Sequence, residues 1–152
     1  MAKSKSADNK QVAEALSRLL ADSYTLYTKT HGYHWNVTGP MFTTLHTLFE
    51  TEYTELALAV DEIAERIRAV GVIAPASYSQ FAKLATVKEA KGVPKAEDMV
   101  RELVADQQLI VEAAKKVVAA AEAAGDNPSA DLGVRRMEVH QKNAWMLRSH
   151  LA

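Results

Sequence analysis

One apolar stripe between residues 42 and 67 constrains the fold of this chain more than any other feature of its sequence. Its apolar side chains recur at three- and four-residue steps, which is the spacing of the buried face of an α-helix. The members of the stripe are Phe42, Leu45, Phe49, Tyr53, Leu56, Val60, Ile63 and Ile67. Because Gly39-Pro40 precedes the stripe and Gly71 follows it, the sequence predicts one long helix between these residues.

Three other long segments show helical spacing of their apolar residues. They run from about Asp8 to Trp35, from near Pro94 to Gly125, and from Ala130 to about His150 with Ser129 as the expected N-cap. The connection between the first and second helices, residues 37–40, is short. The first two helices are therefore expected to be antiparallel neighbours in a four-helix bundle.

The stretch from Gly71 to about Lys95 is long enough to run the length of such a bundle, as topologies with a long crossover require. Its segment Ser79–Leu84 favours a short helix. The expected fold class is therefore all-α, a four-helix bundle with a short extra helix in the crossover between the second and third helices. A chain of 152 residues has the size of one domain, and we assign residues 8–152 to it. Residues 1–7 are polar and Lys-bearing, and predict a flexible arm.

Two pairs of metal-binding residue types lie on or beside the stripe of the second helix. His46 and Glu50 are one turn apart, and so are Asp61 and Glu65, so each pair can offer two ligands to one ion. Positions 46 and 61 are separated by roughly 22 Å along a helix, because each residue adds about 1.5 Å. The two pairs therefore cannot bind one ion within a single helix.

A second copy of the chain resolves this separation. If two copies of the helix cross antiparallel about a twofold axis, the His46 end of one lies beside the Asp61 and Glu65 end of the other. Two equivalent sites with nitrogen and oxygen ligands then form. His34, near the end of the preceding helix, is separated from His46 by a short turn and can complete the histidine half.

The resulting ligand set, two imidazoles with two or three carboxylates, suits Fe(II) or Zn(II) better than Mg(II) or Ca(II). The chain has no Cys, which excludes thiolate ligands, iron–sulfur clusters and disulfides. His31 is expected to cap or hydrogen-bond near a helix end. His140 and His150 are expected to have structural or solvent-facing roles, because no carboxylate stands at a persuasive metal-ligand spacing from them.

Several other functions lack their usual signatures in this sequence. No apolar run approaches the roughly 18 residues of a membrane span, and residues 1–10 lack the apolar core of a secretory signal, so we expect a cytoplasmic protein. The net charge of −1 gives the chain no overall bias toward nucleic acid. The motifs His-Glu-x-x-His, Gly-x-Ser-x-Gly and Gly-x-Gly-x-x-Gly are absent, as are the phosphate-binding loop and the paired Glu-x-x-His helices of di-iron bundles.

The candidate ligands stand within a pattern that closely resembles the signature of the Dps-type mini-ferritins, the DNA-binding proteins of starved cells. The matching residues are His34-Trp35-Asn36-Val37, Gly39-Pro40, Leu45-His46, Phe49-Glu50, Asp61-Glu62-Ile63-Ala64-Glu65-Arg66 and Gly71. The resemblance implies a ferritin-like bundle that assembles into a hollow dodecameric shell, with an iron-oxidising centre at each dimer interface. It assigns His34 and His46 to one subunit and Asp61 and Glu65 to its mate. Glu50 stands where the family usually has an acidic residue.

By this resemblance the protein is a ferroxidase that oxidises Fe(II), preferably with hydrogen peroxide, and stores the Fe(III) mineral inside the shell. Removing both reactants limits hydroxyl-radical formation and protects DNA from oxidative stress. An alternative is a DNA-compacting or structural shell whose metal site is inactive or binds zinc. The intact set of five ligand-type residues argues against an inactive site, and the weak basic character argues against compaction as the main role.

Two further groups of residues gain a candidate role if a shell forms. A shell must admit hydrated cations, and rings of carboxylates at threefold axes would attract them; Asp126 and Asp131 are the candidates. Lys3, Lys5 and Lys10 are the candidate DNA contacts of the N-terminal arm. Because this arm is short, we expect weak, nonspecific DNA binding, with nucleoid association following only from such contacts.

Overall fold

The computed structural model describes the backbone of residues 2–152 and the side chains of residues 5–152. Four long helices and one short helix make up the fold, and no strand occurs in this part of the chain. The helices are α1 (Ala2–Asn36), α2 (Phe42–Ala69), α3 (Tyr78–Leu84), α4 (Ala96–Ala124) and α5 (Asn127–Arg148). The all-α prediction, with a short helix in the crossover between the second and third long helices, is confirmed. Across the described residues, no helix is both long and apolar enough to cross a membrane.

The first helix begins earlier than the sequence pattern indicated. It starts at Ala2 instead of about Asp8, so the segment predicted to be a flexible arm extends α1. Neither Gly nor Pro occurs before Asp8, so nothing in this segment opposes helix formation. Lys5 and Lys10 are exposed on this extension, whereas the Lys3 side chain lies outside the described residues. The DNA contacts of these lysines stay a prediction.

The last helix also begins earlier than predicted, and its N-cap is Asp126 instead of Ser129. Gly125 ends α4 in the left-handed conformation, with φ of 67°. The Asp126 carboxylate then accepts a hydrogen bond from the Ser129 backbone N–H at 3.1 Å, and Pro128 occupies the first turn of α5. The prediction failed because Asp and Ser are both good N-caps, and the local sequence does not choose between them.

Most of the apolar stripe of α2 lies in the core, as predicted. Leu45, Phe49, Leu56, Ile63 and Ile67 are fully buried, and Tyr53 and Val60 are partly buried. Phe42 departs from this pattern, because 41% of its surface is exposed. It is the first residue of α2, at the end of the bundle, where its ring stacks on His46 with ring centroids 5.0 Å apart.

The crossover between α2 and α4 is attached to α1 by hydrogen bonds. The buried Asp22 carboxylate accepts from the backbone N–H groups of Thr86 and Val87, at 2.6 and 2.9 Å, and from the Thr86 hydroxyl at 2.9 Å. Lys29 donates to the Lys88 carbonyl oxygen at 3.1 Å. These bonds hold the crossover along α1.

Buried polar residues interrupt the apolar core near the middle of the bundle. On α5, the guanidinium of Arg136 donates two hydrogen bonds to Glu55 of α2, at 2.5 and 2.8 Å, and a third to His140 Nε2 at 2.9 Å. His140 Nδ1–H donates to Gln107 Oε1 of α4 at 2.6 Å. Burial, with the Arg136 charge, holds the pKa of His140 well below its usual value, so this histidine is neutral and structural.

Glu52 is another buried ionisable residue of the core. It lies on the buried face of α2 and is 3% exposed, and neither of its carboxyl oxygens has a hydrogen-bond partner among the described residues. Burial raises the pKa of Glu52 to about 8. The side chain is therefore mostly protonated at neutral pH, which lowers the cost of its burial.

Candidate metal centre

Two histidines from neighbouring helices meet at one end of the bundle. His34 lies in the last turn of α1 and His46 in the first turns of α2. Their rings are stacked, with centroids 3.7 Å apart and an interplanar angle of 13°. The short turn between the helices brings together two side chains that are twelve positions apart in the sequence.

Each histidine is hydrogen-bonded to the backbone of the other. His34 Nδ1 lies 2.6 Å from the His46 carbonyl oxygen, and His46 Nδ1 lies 2.7 Å from the His34 carbonyl oxygen. A carbonyl oxygen only accepts, so Nδ1 carries the proton in both rings. This leaves Nε2 of each ring as the metal-binding nitrogen, which is the arrangement of a metal-binding histidine oriented by a backbone carbonyl.

An aromatic cluster, which the sequence pattern did not predict, borders the histidine pair. The Tyr53 ring meets His34 edge to face at 5.1 Å. The His31 ring packs against Tyr53 at 4.2 Å and against Trp35 at 4.0 Å. His31 thus has a packing role, and burial, with the nearby His34, lowers its pKa. In the sequence, the place of Tyr53 in the apolar stripe predicted that it packs in the core, but not that it contacts the histidines. Trp35 is 64% exposed, so the cluster leaves apolar surface beside the histidines.

The predicted carboxylate ligands do not meet the histidines within one chain. Glu50, Asp61 and Glu65 are exposed on α2, and within residues 5–152 none of them has a hydrogen-bond or ion-pair partner. Asp61 lies roughly 22 Å along α2 from His46. Among the side chains that the structure describes, no three His, Asp or Glu residues cluster closely enough to hold a metal ion. A single subunit therefore presents a histidine pair and a carboxylate pair at separate places, and the site shared by two chains stays a prediction.

The two candidate entry residues differ in their surroundings. Asp131 is exposed and pairs with Arg135 at 3.0 Å, and Arg135 also bonds to Glu62 at 2.7 Å. The Asp126 carboxylate is less exposed and bonds to Ser129 and Arg66. Although burial alone would raise the pKa of Asp126, the hydrogen bonds and the Arg66 charge hold it below its usual value. Asp131 is thus the freer of the two to face a solvent channel.

Known proteins that resemble this chain share its helical fold. The family of ferritin-like domains matches residues 13–152. DNA protection during starvation protein 2 of Bacillus anthracis is 40% identical over 143 residues, which cover 94% of this chain and 98% of the relative. The structure of Dps from Thermosynechococcus elongatus superposes with a TM-score of 0.94 at 33% identity, covering 98% of this chain and 95% of that one.

A second solved structure, the Dps protein from Vibrio cholerae O1, is described as a member of a broad superfamily of ferritin-like diiron-carboxylate proteins. It has a TM-score of 0.92 at 31% identity and covers 97% of this chain and 92% of its own. The helical bundle, its crossover helix and these likenesses define a ferritin-like protein. Within that class, the chain belongs to the family of Dps-type mini-ferritins.

Proposed function

We propose that this protein is a cytoplasmic ferroxidase that detoxifies and stores iron. Fe(II) binds between the histidine pair of one subunit and the carboxylate pair of its mate, and the oxidised iron is deposited as a mineral inside a dodecameric shell. The observation that carries the proposal is the mutual bonding of His34 and His46, which leaves Nε2 of both rings available to a metal ion. The names of the relatives, which refer to DNA protection and to diiron-carboxylate proteins, support it.

The chemistry of the five ligand candidates fits iron as a substrate that must bind, react and leave. Neutral imidazole nitrogens of His34 and His46 favour Fe(II), whereas the carboxylates of Glu50, Asp61 and Glu65 stabilise Fe(III) as positive charge accumulates. With hydrogen peroxide as oxidant, two Fe(II) ions each give one electron, and the peroxide takes up two protons and leaves as two molecules of water. No hydroxyl radical is released, which is how the shell would protect DNA.

The test is to measure the mass of the assembly in solution together with iron oxidation. We expect light scattering to show a closed assembly near the dodecamer, and the absorbance of Fe(III) to rise faster with peroxide than with oxygen. Zn(II) should compete for the same ligands and slow the reaction.

A stable monomer with full metal affinity would contradict the shared site. A shell that retards DNA at physiological salt but does not oxidise iron would support the DNA-compacting alternative instead.

We propose Asp131 as the residue that draws cations into the shell, because its carboxylate is exposed near the start of α5. Asp131→Asn removes this charge and should slow iron uptake several-fold while the assembly stays intact, since focusing of a cation by charge acts on its rate of entry. The measurement is iron uptake by the variant shells at low ionic strength. Uptake that is as fast as in the wild type would remove Asp131 from the entry path, and Asp126→Asn is the parallel variant for the second candidate.

A further inference from the structure

Arg66 connects the end of α2 to the start of α5, directly beside the candidate ligand Glu65. Its Nη2 donates to Asp126 Oδ1 at 2.9 Å, and its Nε donates to Ser129 Oγ at 2.9 Å. The Ser129 hydroxyl in turn donates to Asp126 Oδ2 at 2.6 Å. We call these three residues the Arg66 clamp.

The Arg66 clamp is shielded from solvent, unlike most ion pairs among the described side chains. Ser129 is fully buried, and the side chains of Arg66 and Asp126 are 27% and 13% exposed. Charge-assisted bonds from a planar guanidinium are directional, and partial burial reduces their screening by salt. Asp126 is also fixed as the N-cap of α5. The clamp therefore links α2 to the N-terminal end of α5.

The Arg66 clamp lies on a different side of α2 from the carboxylate pair. Successive residues of a helix are rotated by about 100°, so Asp61 and Glu65 point roughly 100° away from Glu62 and Arg66. Glu62 also reaches α5, through the exposed Arg135, but such a solvent-exposed pair contributes little. Among the described residues, nothing bonds to the carboxylates themselves. The rotation of α2 therefore influences where they point. The clamp restrains that rotation close to the C-terminal end of the helix, together with the buried Ile63 and Ile67.

We propose that Arg66 is a positioning residue for the metal site, acting through Asp126 and Ser129 to aim Asp61 and Glu65 at the ion. This inference rests on the proposed shared site. Groups that orient metal ligands without touching the metal typically change metal affinity by about 10- to 100-fold. A misplacement of about 1 Å is enough for such an effect on a reaction. Arg66 lies on α2, next to Glu65, and the residues that hold its side chain, Asp126 and Ser129, lie at the start of α5.

The test uses Co(II) as a probe, because its binding to apo shells can be followed by visible absorption without any iron oxidation. Arg66→Gln should weaken Co(II) binding by at least about tenfold on shells of unchanged mass. Arg68→Gln is the matched control, since Arg68 lies in the same turn but donates to the Val72 carbonyl instead of α5. Its Co(II) affinity should stay within about threefold of the wild type, the size of ordinary surface effects. An Arg66→Gln affinity within that range, or equal weakening in both variants, overturns the proposal.

Two further variants keep the proposal testable if Arg66→Gln does not assemble. Asp126→Asn and Ser129→Ala each weaken the clamp while Arg66 remains, and each should lower Co(II) affinity. The double variant Arg66→Gln/Asp126→Asn should lose no more affinity than Arg66→Gln alone, because the two residues act through one contact. Fully additive losses would show that the residues act separately. If wild-type shells bind Co(II) but do not oxidise Fe(II), the ferroxidase proposal fails while the clamp can still be judged.

Discussion

Shells assembled only from His34→Ala/His46→Ala subunits are expected to lose peroxide-driven Fe(II) oxidation, and so are shells assembled only from Asp61→Ala/Glu65→Ala subunits. The first change removes the nitrogen donors and the second removes the negative charge that stabilises Fe(III). Loss of residues that merely orient a metal ligand costs about 10- to 100-fold, so loss of a pair of ligands should cost more. Initial rates of Fe(III) formation on shells of verified mass are the measurement.

Co-assembly of the two kinds of variant shows whether the site is shared. In a dimer that pairs one of each, one site has lost all four substituted ligands and keeps only Glu50, and the other site is whole. Mixed shells should therefore recover part of the activity. No recovery is available if every site lies within one chain, because each subunit then carries its own defect. Mixed shells that stay inactive, with dimers of both variants demonstrated, would refute the intersubunit mechanism.

Replacing Glu52 by glutamine is expected to stabilise the protein increasingly as pH rises. The pKa of Glu52 is raised to about 8 in the fold, from 4.5 for the unperturbed side chain. Between these values the unfolded chain releases a proton that the folded chain keeps, so the stability of the wild type falls as pH rises from about 4.5 to about 8. The amide of the Glu52→Gln variant does not titrate and avoids this loss. Each pKa unit is worth about 1.4 kcal/mol, which makes the expected gain a few kcal/mol at pH 8 and close to zero at pH 4.

The measurement is denaturant unfolding of apo shells at a series of pH values. Both proteins must be compared at the same concentration, because unfolding of an oligomer is coupled to dissociation. Glu122→Gln serves as the control, since Glu122 is exposed on α4. A stability difference between Glu52→Gln and the wild type that does not change between pH 4 and pH 8 would show that Glu52 is ionised in the folded protein.

The helices could be predicted from the sequence because their signals are local. Apolar spacing indicated α2 over its whole length, and Gly125 marked the end of α4. The start of α1 was missed because polar, Lys-bearing residues suit both a helix and a flexible arm. The start of α5 was missed because Asp126 and Ser129 are both good caps. In the fold both residues also contact Arg66 of another helix, which the local sequence does not show.

The candidate site could be predicted only in part. The short turn after α1 made the meeting of His34 and His46 predictable, and the helical spacing placed Asp61 and Glu65 one turn apart. The hydrogen bonds between each histidine and the other's backbone could not be foreseen, because they depend on the crossing of two helices. Arg66 was part of the recognised pattern, but its bond to Asp126 could not be predicted, since Asp126 is sixty positions away in the sequence. Glu52 stands between Thr51 and Tyr53, and nothing in this local sequence indicates the burial that keeps it protonated.

The mutual bonding of His34 and His46 bears on when a newly made subunit becomes able to handle iron. The rings are already held in their metal-binding form by the fold of one chain. In the proposed mechanism, the pairing of two chains adds the missing carboxylates and completes both sites at once. Unpaired subunits would then bind iron weakly and would not start oxidation before a mate is present. Iron oxidation would then be controlled by dimer formation itself, with no separate regulator.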